Sequence, residues 1–142
     1  MAKEKIIGNC ARLAGILLLG AAVPHATFGF AEVVTSIKTG DVRAGMADTF
    51  RIIWIYSTIM LVLSGIWTLF LASELRQLKW RAWWQGIFIG IGYTAGSIAC
   101  MYIAGVYIHL MAFALIGLLL LTPLLIWARS FGKNHQKLVL PT

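Results

Sequence analysis

Six side chains carry chemistry at odds with the apolar sequence around them: His25, Glu32, Asp48, Arg51, Tyr107 and His109. An ionisable group inside or beside an apolar span is costly, so each is a candidate for function. His25 follows Pro24 in the first apolar run, and Glu32 comes seven residues later on the same helical face. Asp48 and Arg51 stand at the mouth of the second run, and Tyr107 and His109 open the last. Two imidazoles and a carboxylate among apolar helices suit three tasks. They can hold the polar head of a lipid or other amphipathic molecule, supply axial nitrogens to a haem b, or carry protons for a coupled carrier. The expected ligand-binding set is His25, Glu32, Arg51, Tyr107 and His109, with His25 and His109 as the haem ligands in the second case. The competing structural account is plain. His25 bonds a serine or a backbone carbonyl across a helix interface, Glu32, Asp48 and Arg51 form a salt-bridged collar, and His109 sits in headgroup water.

Other chemistries find little support. There is no HxxxH, HExxH or CxxC, so His25, His109 and Glu32 form an unspecific metal set at best. Ser57 and Ser64 lack a GxSxG context. Cys10 and Cys100 read as small apolar residues at different depths. No catalytic residue and no metal site is assigned, and no cofactor is expected outside the haem alternative.

The elements that must position these groups follow from the charge pattern. Ile87 to Trp127 is a run without Asp, Glu, Lys or Arg. As one helix it would be about 60 Å long, twice the ~30 Å hydrocarbon thickness, so it must fold into two spans. Ala104-Gly105 is the best turn, and Pro123 predicts a kink or local unwinding near the end of the second. The expected fold is an all-α transmembrane four-helix bundle in one domain, with spans near 9–31, 52–73, 85–103 and 106–128. The basic start, the apolar run Ile16 to Val23 and Ala26 also resemble a signal peptide. The run continues through Phe28 and Phe30, which favours a span. Asp41 reads as an N-cap, with helix from about Val42. Ser57, Leu61, Ser64 and Thr68, beside Thr58 and Gly65, make a small polar stripe that should face other helices. The pairs Gly86/Gly90 and Gly92/Gly96 are two GxxxG motifs, suited to close helix approach.

The chain is 60% hydrophobic and 12% charged, with a net charge of +7. The cations lie in tails and turns, which points to topology and lipid headgroups and away from nucleic acid. Residues Arg76 to Trp84, RQLKWRAWW, are expected to anchor at the membrane interface. Lys3, Lys5, Arg12, Arg76, Lys79, Arg81, Arg129, Lys133 and Lys137 fall on one side, against Lys38, Arg43 and Arg51 on the other. Both termini are therefore expected in the cytoplasm, in a bacterial inner membrane. The basic tail from Arg129 is expected to be loose. Membrane lipid and a homo-oligomer or larger membrane complex are the expected partners.

The layout resembles small uncharacterised four-helix bacterial integral membrane proteins over the whole chain. The matching features are Pro24-His25 late in span one, a Gly/Asp-containing first loop, Arg51-Ile-Ile-Trp54 opening span two, and the basic turn after it. The resemblance implies a four-helix membrane fold and no particular activity. Small multidrug exporters also have four short spans, but need a carboxylate mid-way along the first, where this chain has Gly20 and Ala21.

Overall fold

The computed structural model describes residues 2–132. Lys133 and Lys137, and most of the basic tail, lie outside the described residues. Every regular element among them is helical: α1 (Ala2–Pro24), a π-helical turn (His25–Gly29), α2 (Phe30–Lys38), a 3-10 turn (Ala44–Met46), α3 (Ala47–Arg76), α4 (Trp80–Ala104) and α5 (Ile108–Ile126). α1, the π turn and α2 form one continuous helix. Four helices are thus long and apolar enough to cross a membrane: Ala2–Lys38, Ala47–Arg76, Trp80–Ala104 and Ile108–Ile126.

Three of the four helices outrun the spans expected from the apolar runs, and the fourth, Ile108–Ile126, falls just inside its expected 106–128. The first extends to Lys38 instead of residue 31, because its last turns are polar but still helix-competent. Asp41 does not cap a helix. It accepts a 2.6 Å hydrogen bond from Thr39 Oγ1, and α3 begins only at Ala47. The two glycines of this loop, Gly40 and Gly45, disfavour the earlier start.

Two turns set the antiparallel pairing. α3 ends with Leu78 at φ 55°, a left-handed position usually given to glycine, and the Lys79 N–H reaches back to the Glu74 carbonyl at 3.1 Å. Lys79 Nζ also meets Glu74 Oε1 at 2.9 Å. α4 ends at Gly105, whose φ of 98° suits glycine, and extended Tyr107 precedes α5.

α1 packs on α3 and α4 on α5, and α1–α5 contacts join the pairs. Small residues decide where the backbones touch. A Cβ on Gly15 would lie 3.0 Å from the Gly65 carbonyl oxygen, and one on Gly65 3.1 Å from that of Gly15. Gly90 and Gly117 meet in the same way between α4 and α5. Leu61, Gly65 and Thr68 are buried, so the small polar stripe of α3 faces its neighbours as expected. Gly86 and Gly90 are buried against Leu124 and Leu121. Gly92 and Gly96 do not form a packing face among the described residues, none of which lies within 4 Å of a Cβ at either. The period explains it: a helix that turns Gly86 and Gly90 inward turns Gly92 and Gly96 away.

Packing is tightest at the end where the start of α1 meets Ser130 and Phe131. Ile7, Leu75, Ala82, Leu124 and Phe131 are buried there, and Lys3 Nζ donates to Ser130 Oγ at 3.0 Å. Trp83 is part of this core instead of an interface anchor. It is 9% exposed, stacks on Trp80 at 4.8 Å and donates its Nε1–H to the Leu124 carbonyl at 2.9 Å. At the opposite end the helices expose Tyr102, Ile103 and Ile108 at 81–92%.

Candidate functional site

Pro24 begins the site. Proline brings no N–H and its ring crowds the carbonyl four residues earlier, so an α-helix cannot continue undisturbed through it. The chain answers with the π turn His25–Gly29. Such turns free backbone groups and re-aim side chains.

Trp54 of α3 fills the resulting irregularity. Its Nε1–H donates to the His25 carbonyl at 2.8 Å. Its ring stacks on the His25 imidazole, with centroids 4.2 Å apart and planes 10° apart. It also lies directly over Gly29, where any Cβ would collide with the indole. One turn along α3, Thr58 Oγ1 stands 2.8 Å from His25 Nδ1 and 2.9 Å from the Trp54 carbonyl oxygen.

These distances favour one tautomer of His25. A carbonyl oxygen only accepts, so the hydrogen-bond pattern assigns the single Thr58 hydroxyl proton to the Trp54 side. Otherwise two oxygens would face each other at 2.9 Å with nothing between them. The hydroxyl therefore accepts from His25, which carries its proton on Nδ1. In the neutral ring, Nε2 keeps its lone pair.

Beside this network is a cavity of about 330 Å³. Ala21, Pro24, His25, Phe28 and Gly29 line it from α1 and the π turn, and Glu32 from α2. Trp54 closes it from α3, and His109, Ala112 and Phe113 close it from α5. The spacing 25, 28, 32 puts imidazole, ring and carboxylate in one row.

Three of the five expected site residues, His25, Glu32 and His109, thus border one cavity. Tyr107 reaches it only through His109, on which it stacks at 5.6 Å and 23°. Arg51 does not line it. Its guanidinium pairs with Asp48 at 3.0 Å on an exposed face, a pair worth under about 1 kcal/mol. The collar of Glu32, Asp48 and Arg51 therefore reduces to Asp48–Arg51. His25 does bond a hydroxyl across a helix interface, that of Thr58. Among the described residues, no three His, Cys, Asp or Glu side chains are grouped closely enough to hold a metal ion.

Trp54 and Thr58 are the site residues that sequence reasoning missed. Trp54 was expected only at the opening of span two, and Thr58 beside a packing stripe. The available signal was Pro24 beside His25: a proline within an apolar helix predicts backbone groups in need of partners from a neighbour.

The chain matches no family model, no curated protein and no solved structure.

Proposed function

We propose that this chain is a non-enzymatic integral membrane protein that binds a lipid or other amphipathic molecule in the half of the bundle away from its termini. One observation carries the reading: a mostly apolar cavity between helices, edged by His25, Glu32 and His109. An apolar body with a few convergent polar groups is the usual character of a small-molecule site. The surface supports membrane insertion, since Ile16, Ile52, Phe70, Phe88, Ile103 and Leu125 are all exposed around the bundle. In water such continuous apolar surface would be an aggregation liability, whereas in a bilayer it meets lipid. The positive-inside bias favours both termini in the cytoplasm of a bacterial inner membrane. The outward glycines of α4 leave room for self-assembly or for a place in a larger membrane complex.

Tryptophan quenching tests the site. In proteoliposomes, lipids brominated near the headgroup should quench Trp54, and Trp54→Phe should remove that component of the signal. Equal quenching of wild type and Trp54→Phe by every brominated lipid would remove the lipid reading. A Soret band in the purified protein, lost in His25→Ala or His109→Ala, would replace it with the haem alternative.

A further inference from the structure

We propose that the cavity selects a cationic head that carries N–H donors, a primary ammonium on an apolar chain. This rests on the cavity being an amphipath site and names the chemistry of its head.

Charge is the first argument. The chain holds twelve Lys and Arg against five Asp and Glu, yet no Lys or Arg lines the cavity. Its ionisable groups are one carboxylate, Glu32, and two imidazoles. Arg51, the basic member of the expected set, is held by Asp48 instead. An anionic head would meet Glu32 with no fixed cation to offset it.

Hydrogen bonding is the second. The Thr58 hydroxyl oxygen accepts a hydrogen bond from His25 Nδ1–H, so in the neutral ring the remaining nitrogen is an acceptor. No hydrogen bond is made to it among the described residues. A carboxylate and an imidazole with an unbonded acceptor nitrogen, lining one cavity, call for a donor-rich partner. Ammonium has three N–H donors, and a quaternary amine has none. Phe28, Phe113 and Trp54 add aromatic surface to the lining, and the face of such a ring attracts a cation.

The test compares three probes of equal chain length, dodecylamine, dodecyltrimethylammonium and dodecanoate, at neutral pH. The protein is held in an uncharged detergent, and occupancy is read by native mass spectrometry. Dodecylamine is expected to bind at least about ten-fold tighter than either of the others, the scale of one charge-assisted hydrogen bond. Glu32→Gln should reduce that preference several-fold. Glu32 is exposed, so this exchange does not threaten the fold. Equal binding of all three, or preference for dodecanoate, would overturn the ammonium inference and leave the amphipath site standing. Binding of none would overturn both. Nanodiscs with equal phosphatidylethanolamine and phosphatidylcholine separate two sources of the same head. Enrichment of the ethanolamine lipid on the purified protein identifies a membrane headgroup, and binding of dodecylamine without that enrichment identifies a free amine.

Discussion

His25 and Trp54 hold each other twice, ring on ring at 4.2 Å and indole N–H on carbonyl at 2.8 Å. The same device recurs in the other helix pair, where Trp83 donates to the Leu124 carbonyl at 2.9 Å. In both cases the acceptor is the residue just after a helical proline, Pro24 or Pro123. Proline disturbs the ladder, and an indole from the neighbouring helix supplies a donor beside the disturbance. Each bond thereby ties a weak point of one helix to its partner.

Trp54→Phe should retain a ring on His25 and lose the donor. Leaving the carbonyl without its indole partner costs about 1–2 kcal/mol, read as a lower thermal unfolding midpoint in detergent. Trp54→Ala also removes the stack and empties the space beside Gly29, at about 3–5 kcal/mol. Equal effects of the two exchanges would show that the N–H bond contributes all of the stabilisation.

Thr58→Val keeps the shape and removes the acceptor of His25 Nδ1–H. Nitrogen NMR of labelled histidine should report a proton on Nδ1 in the wild type and a shift towards Nε2–H in the variant. An Nε2–H signal in the wild type would contradict the assignment and remove the acceptor on which ammonium selectivity depends.

The four helices were legible because their signal is additive: dozens of apolar residues and few charges leave no other fold. The row His25–Glu32 was legible for a similar reason, since both lie on one helix and obey its period. Arg51 was expected among the ligand-binding residues, whereas its guanidinium takes a local i,i+3 partner on its own helix. Asp48, three residues away, simply lies within reach on α3. Gly92 and Gly96 carry the same motif as Gly86 and Gly90, and only the rotation of α4 against α5 distinguishes them. Tryptophan in a basic turn between spans predicts an interface anchor, whereas the Trp83 N–H finds a backbone acceptor within the bundle.

Orientation is testable with fusions. Nine of the twelve Lys and Arg lie on the terminal side of the expected topology, so a C-terminal fluorescent-protein fusion should glow in a bacterial host. An alkaline phosphatase fusion at the same point should be inactive, whereas one in the loop near Asp41 should be active. The reverse pattern would place the cavity in the cytoplasmic half.

The glycines give the sharpest test of the helix packing. In α5, a methyl at Gly117 would collide with Thr94 Oγ1 and approach the Gly90 carbonyl oxygen to 2.8 Å. Backbone atoms cannot yield there without separating α4 from α5, so Gly117→Ala should cost about 1–3 kcal/mol by overpacking. Gly92→Ala and Gly96→Ala place a methyl where nothing lies within 4 Å. In an isolated chain they should be neutral or stabilising, by up to about 1 kcal/mol through helix propensity. Thermal unfolding of the three variants in detergent reads the contrast directly. In membranes the prediction divides. If the outward face of α4 packs on a second copy or a partner, Gly92→Leu should weaken that association while leaving detergent stability intact. An unchanged oligomeric state in nanodiscs would assign that face to lipid.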